Sequence, residues 1–100
     1  MEIELTPALV RTYLASLAPG ATCGVRGDPD NCPLARALCF AGARHPLVTW
    51  LGYIAALNHF PLPLWAKAFV EWLDKTWKRS LGVRAKTALR ILDAVTADAQ

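Results

Sequence analysis

One hundred residues with a hydrophobic fraction of 54% and only 19% charged exclude a disordered chain, which needs low hydrophobicity and high charge. The length is that of one compact unit, so residues 1–100 are read as a single globular domain with a frayed 98–100 tail. The net charge of +3 is uneven: residues 1–60 carry four Lys+Arg against four Asp+Glu, and residues 61–100 carry seven against four.

The opening Met1-Glu2-Ile3-Glu4 has neither a basic n-region nor an apolar h-region, which predicts no secretory signal and a cytoplasmic location. The charge-free stretch 45–66 is interrupted by Asn58, His59, Pro61 and Pro63, leaving an apolar core at 47–57. A membrane-spanning helix needs about 20 residues, so no membrane role is expected. Three cysteines are an odd number and predict no disulfide framework.

Thr6-Pro7 is a helix start, because Thr caps free amides and Pro fits the first turn. Leu9, Val10, Tyr13, Leu14 and Leu17 recur at helical spacing until Pro19-Gly20, predicting a helix over 7–17. Residues 21–27 read as a short strand or an ordered loop. Asp28-Pro29-Asp30-Asn31-Cys32-Pro33 is dense in turn and capping residues. A second helix follows over about 33–42, closed by Gly42 and Pro46.

In Leu47–Ile54 the residues Val48, Thr49, Trp50, Tyr53 and Ile54 favour a strand. The run is apolar on both faces, which also suits a buried helix. Pro61 and Pro63 flank the start of a third helix over 63–78, with Trp65, Phe69, Trp72, Leu73 and Thr76 on one stripe. Ser80-Leu81-Gly82 reads as a turn. A final helix over 84–97 turns Ala85, Ala88, Leu89, Leu92 and Val95 inward. The expected fold is a helix-dominated α+β domain of about four helices with one or two short strands, the third helix being the central packing element. The alternative is an all-α domain, if 47–54 is helical.

From Lys75 to Leu92 the chain has six cations and no acid. Much of this charge has a structural explanation in the i,i+4 pairs Lys67–Glu71, Glu71–Lys75 and Asp74–Lys78, and in Arg90 with Asp93. The residual cations of the 75–90 region, Arg79, Arg84, Lys86 and Arg90, are candidates for contacting phosphates. The stretch resembles the helix–turn–helix pattern, with Gly82 in the turn and Trp77, Leu81, Val83, Ala88 and Ile91 at apolar positions. Lys78 departs from it, since a small residue normally sits there. The resemblance covers about a fifth of the chain and implies nucleic-acid binding.

Cys23, Cys32, Cys39, His45 and His59 lack the tight pairs of zinc sites, so no metal is expected. Cys39 on an apolar helix face reads as a small core residue. Cys32 sits at a helix N-terminus, where it reads as a buried or capping residue of the turn or, because the dipole favours the thiolate, as the candidate reactive thiol of an enzyme or redox protein. Asp28 and Asp30 read as caps rather than a carboxylate pair. There is no phosphate-binding glycine loop and no recognisable catalytic motif, and no cofactor is expected. The favoured reading is a small non-enzymatic binding protein acting by surface contact with a protein partner or with itself as a homodimer. Nine aromatics in so short a chain support an apolar contact, through the 47–54 segment or the Trp77 side of the third helix, with Trp50, Tyr53 and Trp77 as interface candidates.

Overall fold

The computed structural model describes residues 4–25, 30–49, 52–55, 58–76 and 82–97. Their order is α1 (Pro7–Ala15), β1 (Thr22–Val25), α2 (Pro33–Phe40), β2 (Leu47–Thr49), β3 (Gly52–Ala55), β4 (Asn58–Phe60), α3 (Leu64–Thr76), β5 (Gly82–Arg84) and α4 (Ala85–Thr96). The frayed tail expected at 98–100 lies outside the described residues.

The two proline-led helices begin alike. The Thr6 hydroxyl accepts the Leu9 amide at 3.1 Å, and Pro7 fills the first turn of α1. Cys32 takes the corresponding place in α2, its Sγ accepting the Ala35 amide at 3.4 Å ahead of Pro33. The end of α2 is a Schellman motif: Gly42 adopts φ 106°, its amide bonds Cys39 O, and the Ala43 amide bonds Leu38 O. That left-handed residue is why glycine stands there.

Helix α4 has no side-chain cap. The turn after α1 supplies one instead, with Ala21 O accepting from the Ala85 amide at 2.9 Å and Pro19 O from the Lys86 amide at 3.1 Å. Free helix-terminal amides are thereby satisfied by backbone.

Strands β1 and β5 form an antiparallel ribbon, and β2, β3 and β4 form a separate antiparallel meander. The register of β1 against β5 shifts by one residue at Cys23, a bulge. Leu5, Val10, Leu14, Cys23, Leu34, Leu38, Phe69, Val83 and Leu92 are among the buried residues of one hydrophobic cluster.

The expected helix-dominated α+β fold with one or two strands is corrected: among the described residues, five strands in two antiparallel sheets stand beside four helices. The all-α alternative falls with it, because 47–55 holds two strands of a meander. Gly82, read as part of a turn, pairs with Val25 in β5. Strands of three or four residues carry almost no periodicity, and each is stabilised by its partner rather than by its own pattern.

The central packing element is also not the third helix. Helix α4 packs against α1, α3 and both strands of the β1–β5 ribbon, whereas among the described residues the main helical neighbour of α3 is α4. The fully buried Ala85 and Ala88 explain this, since small side chains let α4 approach its neighbours closely.

Candidate functional site

Helix α3 buries Ala66, Phe69 and Leu73 against the core. Leu64, Ala68 and Trp72 recur every four residues and so form a second stripe beside the first. Leu64 is 84% exposed and Trp72 52%, with Ala68 half-buried between them. Trp65, half-buried, joins the two stripes, and the polar arc that remains holds exposed Lys67 and Glu71. The single stripe expected to hold Trp65, Phe69, Trp72 and Leu73 together is therefore corrected, since Phe69 and Leu73 are buried and Trp72 is exposed. The apolar arc of α3 is too wide for the core to cover, and its outer part faces solvent. The i,i+4 recurrence of Leu64, Ala68 and Trp72 was the available signal.

Lys67 and Glu71 form no ion pair within the described residues, although four residues apart. Lysine preceding glutamate is the weaker order for such a pair. Likewise Asp93 does not turn to Arg90 on its own helix. It meets Arg11 of α1 at 2.6 Å across the surface.

Arg84 ends β5, while Lys86 and Arg90 lie one turn apart on α4, and all three are exposed. Arg79 lies outside the described residues. The helix–turn–helix resemblance meets an obstacle at the connection, because β5 is tied into a ribbon with β1 where that pattern has only a turn.

Of the interface candidates, Trp50 and Trp77 lie outside the described residues. Tyr53 is a core residue, which corrects its assignment to a surface: it is buried, stacks on Phe60 at 5.1 Å, and its hydroxyl accepts the Leu5 amide at 3.2 Å. A strand in the middle of a meander turns one face inward, and Tyr53 is on that face.

None of the three cysteines is in a disulfide, and they differ in setting. Cys32 is 9% exposed and its sulfur is engaged as the α2 cap, an arrangement that disfavours attack on an external electrophile. Cys23 is fully buried, and burial pushes its thiol up to about 11 against the pull of the Arg36 guanidinium. The Tyr13 hydroxyl, also raised chiefly by burial, donates to Cys23 O at 2.7 Å. Arg36 is held by Asn31, its Nε 2.7 Å from Oδ1. Cys39 is exposed rather than in the core, a further correction.

Cys39 lines an open cleft of about 340 Å³ with Asp30, His45, Pro46 and Leu47. His45 holds a left-handed backbone at φ 49°. The residue types suit nucleophilic catalysis, but no hydrogen bond joins Asp30, Cys39 and His45 among the described residues. Nor does any group of three or more His, Cys, Asp or Glu among the described residues stand where it could hold a metal ion. No helix of the described residues is long and apolar enough to cross a membrane.

No protein-family model matches the chain, and no curated protein or solved structure matches it.

Proposed function

We propose that this chain is a small non-enzymatic binding protein that works by surface contact with a macromolecular partner, using the outer face of α3. The observation that supports this is the exposure of Leu64 and Trp72 on one stripe of a helix whose other apolar stripe already closes the core. Large apolar groups left together on the surface mark contact sites. Leu64→Asp removes the contact without touching the core. The test is capture from the native host by the immobilised chain and by this variant, with their unfolding midpoints compared. A protein held by the wild-type chain and lost with Leu64→Asp supports the proposal. Identical capture profiles for two equally stable chains reject it.

One observation favours a second reading, nucleic-acid binding through Arg79, Arg84, Lys86 and Arg90. Arg84, Lys86 and Arg90 are exposed and have no acidic partner among the described residues. A gel shift at two salt concentrations separates the readings, because phosphate-driven affinity falls steeply with salt. Absence of a shift at low salt eliminates the nucleic-acid reading.

A further inference from the structure

The partner of the α3 face follows from its own charge arrangement. We infer that α3 pairs with α3 of a second copy, antiparallel about a two-fold axis at Ala68. The inference rests on the reading of this face as a contact surface.

Ala68 lies midway between Leu64 and Trp72 in sequence and at the centre of the stripe. Its small side chain permits close helix approach at the axis. At 1.5 Å rise per residue, Leu64 and Trp72 stand about 6 Å on either side of it. A two-fold axis exchanges these positions, so Leu64 of each copy meets Trp72 of the other.

The flank then matches as well. Lys67 and Glu71 are exposed on one side of the stripe and form no ion pair among the described residues. An axis perpendicular to both helices keeps that side facing the same side of the second copy while reversing direction along the helix. Lys67 lies about 1.5 Å from the axis on one side and Glu71 about 4.5 Å on the other. After reversal each Lys67 stands about 3 Å along the helix from the second copy's Glu71, within side-chain reach. Two symmetric ion pairs thus form from residues that have no ion-pair partner among the described residues. An isologous contact must be self-complementary in this manner.

One helix face is a small contact, below the roughly 1,200 Å² total of stable interfaces. The dimer is therefore reversible, with half-dissociation at tens of micromolar or above.

Sedimentation equilibrium of the full chain tests this. The wild-type chain is expected to rise above 10.9 kDa over tens to hundreds of micromolar. Lys67→Glu places four acids on the flank and Glu71→Lys places four bases, so each alone is expected to weaken association about tenfold. The double variant restores the pairs with signs exchanged. An equimolar mixture of the two single variants associates more tightly than either alone. Recovery of this kind does not arise from a folding defect. Ala68→Arg, on the outer face, abolishes association. A chain that stays at 10.9 kDa throughout overturns self-pairing, and so does a dimer indifferent to Ala68→Arg or unrestored by the charge exchange. If such a chain still captures a different protein through Leu64, the contact reading stands while the second copy is discarded. If the Leu64→Asp variant captures the same proteins, both fall.

Discussion

The Tyr13 hydroxyl donates a 2.7 Å hydrogen bond to the carbonyl oxygen of Cys23, joining α1 to β1 at the residue where the β1–β5 register slips. A bulge removes a residue from the regular ladder, and a buried carbonyl left without a donor is costly. Tyr13→Phe keeps the ring and deletes the donor. It is expected to destabilise by about 1–3 kcal/mol, read from the shift of a urea midpoint at constant slope. A change of only a few tenths would mean that the carbonyl has another donor.

Gly24 and Gly20 are expected to respond oppositely to alanine. A Cβ at Gly24 would meet Pro33 N at 2.5 Å and Cys32 C at 2.7 Å, both backbone atoms of the α2 start. Gly24→Ala must push β1 away from α2, at about 1–3 kcal/mol. A Cβ at Gly20 meets nothing within 4 Å, so Gly20→Ala is neutral or stabilises by about 0.4–1 kcal/mol through the unfolded chain. Parallel thermal melts compare the two. Equal midpoints would contradict the close packing of β1 on α2.

Stability should fall in mild alkali. Cys23 ionises near 9 when unfolded and near 11 when folded, because burial disfavours its thiolate. The folded chain holds that proton more tightly, so this contribution is complete below pH 9 and is lost as pH rises towards 11. The full effect is on the order of 2 kcal/mol. The buried Tyr13 hydroxyl, shifted in the same direction, adds to the loss at the upper end. Urea midpoints at pH 7.5 and 10.5 measure it, and Cys23→Ala should show a flatter dependence. An unchanged slope in that variant would assign the alkaline loss to other groups.

The three thiols should divide one to two. Exposed Cys39 alkylates rapidly at neutral pH, whereas Cys23 and the capping Cys32 react only on unfolding. Mass spectrometry after brief alkylation is expected to find one modified cysteine, at 39. Rapid labelling of Cys32 would revive the reactive-thiol reading of the α2 N-terminus.

Local rules made the helices readable. Thr6-Pro7 and Cys32-Pro33 start α1 and α2 as expected, and Gly42 stops α2 through a conformation that glycine favours. These signals act between near neighbours in the chain, so they are written in adjacent residues. The strands were less legible. Gly82–Arg84 is a strand because β1 lies beside it, and β2–β4 hold one another in register through residues of different segments. Nothing in three consecutive residues encodes a partner elsewhere in the chain.

The candidate surface divides in the same manner. Composition alone determined that this short chain has more large apolar groups than a small core hides, and the four-residue recurrence of Leu64, Ala68 and Trp72 was present in its letters. Which aromatics stay outside was decided by packing. Tyr53 went inward because β3 lies between β2 and β4, with Phe60 beside its ring. Trp72 remained half-exposed because α4, with its small buried alanines, took the central position and left α3 one side to cover. Helix periodicity is a property of neighbours along the chain, whereas burial depends on which surfaces compete for the same interior, and only the tertiary structure settles that competition.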